Sequence, residues 1–282
     1  ASRKHVEKIS LVAEQAVKQA GIKLSDIDAV AATCAPGLIG ALLVGANFAK
    51  ATALALDVPF VPVHHIRGHV AANYIAFSEL EPPMTALVAS GGHTVILDVA
   101  DYTHMEVVGA SRDDAAGEAF DKIGRVLGLP YPGGAALDRL SKAGDPAKYP
   151  LPPAIIKDHP YDFSFSGLKT AFLNACHKME QKGETLPKAD LAASFEKAVV
   201  DTLCEKALLA LRDSGLDTLC IAGGVSANRR LRDQLTKLSQ KHHFRMCMPE
   251  LWLCTDNAAM IGSAAYYRMK KGELAGLELN AV

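Results

Sequence analysis

Apolar residues recur at helical spacing from the start of the chain to Ala20. After a polar turn over Gly21 to Asp28 they close up into the run Ile27-Asp-Ala-Val-Ala-Ala-Thr33. A period near 3.6 predicts a helix, and a short apolar run bounded by turn residues predicts a strand. Behind Pro36-Gly37 a helix of small residues is predicted from Gly40 to Leu56, and Val58-Pro-Phe-Val-Pro-Val63 reads as a second short strand. Strand, helix and strand joined by short links call for a parallel pair and an α/β fold.

Acidic residues and two prolines from Glu79 to Pro83 break this pattern and mark an expected lobe boundary. The apolar runs Thr85 to Ala89 and Val95 to Val99 then flank Ser90-Gly91-Gly92-His93-Thr94, a predicted hairpin whose glycines are expected to supply the positive φ of a tight turn. The pattern is helical from Arg112 to Gly128 and gives way to the turn-rich Gly-Leu-Pro-Tyr-Pro-Gly-Gly134. Proline crowds Tyr149 to Pro160, an expected irregular surface excursion. Two long helices are predicted at about Leu168 to Gln181 and Lys188 to Ser214, then a strand from Asp217 to Ala222 ending at Gly223-Gly224, and a helix beginning near Asn228. A last helix opens at Thr255-Asp256-Asn257, with Thr255 as its expected N-cap. The expected division is one lobe over 1–82 with 257–282 and a second over 83–256.

Composition narrows the functional classes. With 49% hydrophobic residues in 282, the chain can bury one large core or two modest ones. There is no run of eighteen apolar residues and no charged-then-apolar leader, so a soluble, cytoplasmic protein is expected. Six cysteines lie scattered without a C-x-x-C pair, which argues against a disulfide framework or a zinc ribbon. Thirty basic residues against thirty-one acidic ones leave a net charge of −1, unlike a stand-alone nucleic-acid binder. The densest basic region, Arg229, Arg230 and Arg232 to Lys237, Lys241 and Arg245, reads as a solvated helix face.

Several constellations can carry chemistry. His65-Ile-Arg-Gly-His69 is an H-x-x-x-H pair, and on a helix this spacing sets both imidazoles on one face, where they can grip one metal ion. Alone the pair is a weak signal. Asp256, at the start of a distant helix, is a plausible third ligand, and two histidines with a carboxylate leave open positions of the kind non-haem Fe(II) and catalytic zinc use. A helix-capping role for Asp256 is the alternative. Ser90-Gly91-Gly92 resembles an anion-cradling turn. Gly223-Gly224-Val-Ser-Ala-Asn228 follows a strand and leads into a helix N-terminus, which favours an anion or a nucleotide hydroxyl. Asp114, Glu118 and Asp121 share a helical face, by default an exposed acidic one.

Taken in order, these motifs resemble those of the tRNA threonylcarbamoyladenosine transferase family, formerly described as O-sialoglycoprotein endopeptidases. The likeness runs nearly end to end: Ala1-Ser-Arg-x-His5, Pro36-Gly37-Leu38-x-Gly40, the cluster His64 to His69, Leu87 to Thr94 and Asp113 to Lys122. Tyr131 to Gly134, Phe163 to Ala171, Gly223 to Arg229 and Cys254 to Gly262 complete it. The resemblance implies a two-lobed actin- and Hsp70-like (ASKHA) α/β fold with nucleotide and metal in the cleft between the lobes. It implies one divalent metal per chain at His65, His69 and Asp256, generally Fe2+, with Zn2+ the alternative. Val88, Ala89, Ser90, Gly91, Gly92, Asp121, Gly134, Asp138 and Asn228 would contact an adenine nucleotide, whether threonylcarbamoyl-AMP or AMP, ADP or ATP.

The activity so implied is transfer of threonylcarbamoyl from threonylcarbamoyl-AMP to N6 of the adenine beside the anticodon, in tRNAs that read codons beginning with adenine. Its implied partners are tRNA, a paralogous actin-like subunit and a small ATPase. No general base is identified. A metalloprotease is the first rival, but Ile66 stands where a His-Glu-x-x-His protease has its glutamate. A small-molecule kinase of the same fold is the second, and a non-catalytic scaffold the third. The chain opens at a point that the family reaches only after a few tens of residues, which normally form the first strands and a phosphate loop. A removed leader and a true fragment both fit. For a fragment, an uncovered sheet edge at Ile27 to Thr33 is expected, with metal binding kept and catalysis lost.

Overall fold

The computed structural model describes residues 2–153, 156 and 158–282. The chain falls into two compact units, one of residues up to Ile75 with Asn257–Val282 and one of Ala76–Asp256.

In the first unit the amphipathic opening segment forms α1 (Ser2–Ala20), which buries no residue fully and packs on α2 (Ile39–Leu56). β1 (Val30–Ala35) lies parallel to β2 (Phe60–His64), from Val30 opposite Phe60 to Thr33 opposite Val63. α2 turns Ala46, Ala49 and Ala53 inward against Cys34 and Phe60, and these small side chains let the helix lie close on the strands. Among the described residues α2 alone is long and apolar enough to cross a bilayer by length and composition. Here its alanine face is packed, and its Lys50 ammonium donates to the carbonyls of Leu277 and Leu279 at 3.1 and 3.0 Å. α3 (His65–Ala76) leaves β2 with no intervening loop, and α10 (Ala258–Lys270), numbered in chain order after the helices of the second unit, packs on β1 and β2.

The second unit is built on a five-stranded sheet in the order β5-β4-β3-β6-β7. β3 (Met84–Ala89), β4 (Thr94–Val99) and β5 (Met105–Ala110) form an antiparallel meander. β6 (Thr218–Ala222) joins β3 in parallel, and β7 (Arg245–Cys247) joins β6 in the same sense. Around the sheet lie α4 (Ala116–Val126), α5 (Gly133–Ser141), α6 (Ser166–Gln181), α7 (Lys188–Ser214), α8 (Arg229–His242) and the single turn α9 (Leu251–Cys254). Phe195 of α7 meets Phe120 and Phe172 edge-on, with ring centroids 5.9 and 5.5 Å apart, and all three are buried. Each such ring contributes about 1.5–3 kcal/mol by leaving water.

The predicted helices and hairpin form, with three corrections. Neither Gly91 nor Gly92 has a positive φ; the turn is closed instead by the Ser90 amide donating to the His93 carbonyl at 2.8 Å. The N-cap of α10 is Asn257, whose side chain accepts from the Met260 amide at 2.8 Å, and not Thr255, which ends α9. β5 and α5 stand where strand and helix were not anticipated, because β5 fully buries only Gly109 and α5 begins with two glycines. Part of the expected excursion from Tyr149 to Pro160, at 154, 155 and 157, lies outside the described residues, as does Ala1 of the first motif.

Positive φ is needed at Gly223, where φ is +87° and a Cβ would be driven into the Ala89 carbonyl. Gly224 beside it has open space and no such φ. Gly223→Ala is therefore expected to lower the melting temperature by roughly 5 °C, a strain of about 2 kcal/mol, while Gly224→Ala leaves it within about 1 °C. Equal melting temperatures for the two variants would contradict the close packing of this turn on β3.

Candidate metal and nucleotide sites

α3 starts at His65, so His65 and His69 stand one turn apart on the same helical face. Their rings meet edge-on, centroids 4.6 Å apart, with His69 fully buried and His65 half-buried. α3 is held against α10 where Gly68 faces Ile261, a Cβ there standing 2.7 Å from its Cδ1, and where the Ser263 hydroxyl donates to the Ala71 carbonyl at 2.9 Å. Those contacts set the first turn of α10 beside the histidine face. Asp256 is bonded to Asn257, the N-cap of that helix, and because the Asn257 side chain does the capping, the Asp256 carboxylate is not spent on it. Ligand atoms of His65, His69 and Asp256 all lie within 4.8 Å of one another. Two imidazole nitrogens and one carboxylate oxygen in that compass are the donor chemistry of a divalent first-row metal with open coordination positions, so the residues fit such an ion.

A second site lies wholly within the second unit. β3 and β6 are parallel neighbours, Val88 opposite Ala222, so the turns that follow them emerge side by side at the carboxyl edge of the sheet. Open α/β sheets bind ligands at that edge. A cavity of about 400 Å³ opens there. Of the residues expected to contact nucleotide, Gly91, Asp121, Gly134, Asp138 and Asn228 line it. Val88 and Ala89 are buried strand residues of β3, Ser90 turns its hydroxyl to the His93 amide at 3.1 Å, and Gly92 is exposed; none of these four lines the cavity.

The acidic cluster does not form one exposed face. Asp114 lies ahead of α4 and takes Lys122 at 2.6 Å and Lys169 at 2.9 Å. Its burial opposes ionisation, yet the two ammonium groups lower its pKa below the usual carboxylate range. Asp121 instead accepts from the Gly133 amide at 2.6 Å, tying α4 to the start of α5. Asp138 Oδ1 accepts from Asn228 Nδ2 at 3.3 Å and from the Arg229 amide at 3.2 Å. Asn228 also caps α8, its Oδ1 accepting from the Leu231 amide at 2.9 Å.

Behind these residues stands Glu196, which the sequence reading missed. It lies on α7 with no exposed surface, its Oε1 accepting from Asn228 Nδ2 at 2.7 Å and its Oε2 2.7 Å from the Ser141 hydroxyl. Burial raises its pKa further than the hydrogen bonds with Asn228 and Ser141 lower it, and the Asp138 carboxylate adds to the rise. The one available signal was a charge set within the apolar stripe Leu191, Phe195, Val199 of a long helix. Nor is the start of α8 a solvated basic face. Arg230 Nε donates to Glu196 at 3.3 Å, and Arg232 reaches the carbonyls of Ser226 and Pro249 at 2.8 and 2.6 Å.

The model of the family described as TsaD, tRNA N6-adenosine threonylcarbamoyltransferase, matches residues 1–263. The enzyme of that name from Caldicellulosiruptor saccharolyticus is 51% identical over 282 residues, covering 100% of this chain and 83% of its own length. That from Clostridium perfringens is 50% identical over 281 residues, again covering 83% of its length. Among solved structures, full-length HypF in its phosphate- and nucleotide-bound form superposes with a TM-score of 0.67 at 16% identity, over 93% of this chain and 41% of HypF. HypF of T. kodakarensis gives 0.65 at 14% identity, over 87% of this chain and 41% of its own. At such identities the HypF likeness speaks for the α/β fold alone. The family match over nearly the whole chain, with curated enzymes at about half identity, is of another order: the chain belongs to the TsaD family of tRNA N6-adenosine threonylcarbamoyltransferases, enzymes of tRNA threonylcarbamoyladenosine biosynthesis.

Proposed function

We propose that the chain transfers threonylcarbamoyl from threonylcarbamoyl-AMP to N6 of the adenine beside the anticodon, in tRNAs reading codons that begin with adenine. In this reading the cavity of the second unit holds the adenylate, and His65, His69 and Asp256 hold one divalent metal, Fe2+ by family resemblance. The two units are proposed to be the lobes of an actin-like fold. What carries the reading is the convergence of the Gly91 and Gly223-Gly224 turns with Asp121, Asp138 and Asn228 at the carboxyl edge of parallel strands β3 and β6.

In the reaction the N6 amine attacks the carbamoyl carbon, the bond from that carbon to the phosphate oxygen breaks, AMP leaves, and the amine loses a proton. In this reading backbone amides of the glycine turns meet the phosphate oxygens, since glycine places no side chain in the way. Asp121 and Asp138 offer carboxylate oxygens to sugar hydroxyls, and each is already held by a backbone amide, so neither must reorganise to bind. A divalent metal at the histidine site, when bound, supplies a Lewis acid for an oxygen of the mixed anhydride or its leaving phosphate. Within that donor set His69 is buried, His65 half-buried and Asp256 exposed.

Elemental analysis of the protein as purified is expected to find one metal per chain, and His65→Ala with His69→Ala to abolish it; stoichiometric iron or zinc in the double variant would place the metal elsewhere. In calorimetry, Asp138→Ala is expected to weaken ADP roughly tenfold, the loss of one hydrogen bond to a charged group. Unchanged affinity would remove the cavity from the nucleotide site. A net charge of −1 gives little general attraction to RNA, so the proposed paralogous subunit and small ATPase are expected to be required. Efficient modification of tRNA at physiological salt by the purified protein alone would contradict that requirement.

A further inference from the structure

Glu196 of α7 has no exposed surface, and two other helices converge on it. From α8 come Asn228 Nδ2 at 2.7 Å and Arg230 Nε at 3.3 Å, and from α5 comes the Ser141 hydroxyl at 2.7 Å. Asp138 of α5 is its remaining charged neighbour. A carboxyl group with no solvent contact is costly in an interior unless its hydrogen bonds are met, and here they are met by groups that lead directly to the cavity.

The hydrogen-bond count at Asn228 shows what Glu196 determines. A primary amide has two donors on nitrogen and one acceptor oxygen. The oxygen is used by the Leu231 amide at 2.9 Å, so the amide cannot rotate by half a turn without losing the cap of α8. One N–H goes to Glu196 Oε1 at 2.7 Å, and the other is thereby directed to Asp138 Oδ1 at 3.3 Å. Remove the Glu196 acceptor and the shorter of the two anchoring bonds goes with it. Ser141 works on the same carboxylate from below: its hydroxyl lies 2.9 Å from the Asp138 carbonyl and 2.7 Å from Glu196 Oε2. It thus couples Glu196 to the backbone of the helix that carries Asp138.

We propose that Glu196 is a positioning residue of the nucleotide site, holding the Asn228 amide and through it the Asp138 carboxylate in the orientation that receives an adenine nucleotide. The inference rests on the reading that this cavity holds the nucleotide. It predicts that the shape and reach of residue 196 matter more than its charge. Gln keeps an oxygen for Asn228 and gains an N–H for the Ser141 hydroxyl while giving up the 3.3 Å bond from Arg230, whereas Asp withdraws the carboxylate by one methylene and no longer reaches Asn228.

The test is ADP binding by calorimetry on the whole protein, with the melting temperature of each variant measured beside it. Glu196→Gln is expected to bind ADP within about threefold of the unaltered protein, and Glu196→Asp and Glu196→Ala to bind it at least roughly tenfold more weakly, the effect of losing one buried hydrogen bond to a charged or amide group. Glu196→Asp keeps the inference testable if Glu196→Ala does not fold. Native affinity in folded Glu196→Asp, or a loss in Glu196→Gln as large as in Glu196→Asp, overturns it. Asp138→Ala separates the two readings: if that variant loses affinity and Glu196→Asp does not, the cavity stands and the positioning role falls. If the unaltered protein binds no ADP, or Asp138→Ala binds it normally, the nucleotide reading falls and takes this inference with it.

Discussion

The parallel pairing of β3 with β6 is the constraint on which the cavity proposed to hold nucleotide depends. Antiparallel neighbours send their following turns to opposite ends of a sheet, whereas parallel neighbours send them to the same end. Because Val88 stands opposite Ala222, the Ser90-Gly91 turn and the Gly223-Gly224 turn leave the sheet at one level, and Gly223 passes over the Ala89 carbonyl as it does so. The 128 residues or so between those strands are then free to supply helices, and α4, α5 and α7 return to the same edge with Asp121, Asp138 and Glu196. The amide nitrogen of Gly117, at the start of α4, donates to the Ser90 carbonyl at 3.1 Å and ties the first of these helices to the first turn.

The histidine site is made by a different device. Helical periodicity alone brings His65 beside His69, and the only long-range requirement is that the start of α10 lie against α3. That contact is assembled from a glycine facing an isoleucine and a serine hydroxyl on a backbone carbonyl, both of which fix distance and axial register. Division of labour at the helix start matters as much. Asn257 is in extended backbone and its oxygen caps the helix, a task for which Asn and Asp are equally suited. The amide stands at the cap and the carboxylate one residue earlier, within 4.8 Å of the His65 and His69 ligand atoms.

Local pattern carried much of this in advance. The H-x-x-x-H spacing, the hairpin around Gly91 and the strand-turn-helix at Gly223 are each short-range features, and each forms, the hairpin without the positive φ its glycines led one to expect. What escaped the sequence depends on contacts across the chain. Thr255 and Asn257 are both good cap residues, and only the fold decides between them. α5 was hidden because Gly133 and Gly134 are poor helix formers, and the Asp121 carboxylate on the Gly133 amide secures its first turn. Glu196 was hidden because one carboxylate in a long helix is ordinarily solvated. Its burial follows only from the meeting of α5, α7 and α8. The family likeness named Asp138 and Asn228, but no motif spacing connects either to residue 196.

The same meeting of helices revises the charge distribution. Arg230 and Arg232, in the densest basic run, look like part of a solvated helix face when only the sequence is in view. In the fold Arg230 is turned to buried Glu196, and Arg232 donates to two carbonyls and lies 3.1 Å from Cys254 Sγ. Arg245 pairs with Glu79 at 2.6 Å, and Arg229 with Asp233 at 3.4 Å. A guanidinium with five donors in a rigid plane suits this use better than an ammonium, since it can join several carbonyls at once. Cations committed in this way release few counterions when nucleic acid approaches. Arg230 and Arg232 of α8 are therefore internal scaffolding, leaving Arg229, Lys237 and Lys241 as the exposed cations of that run on the helix. Attraction for tRNA, which the family modifies, must draw on charges beyond this helix, and with a net charge of −1 the chain holds few to spare.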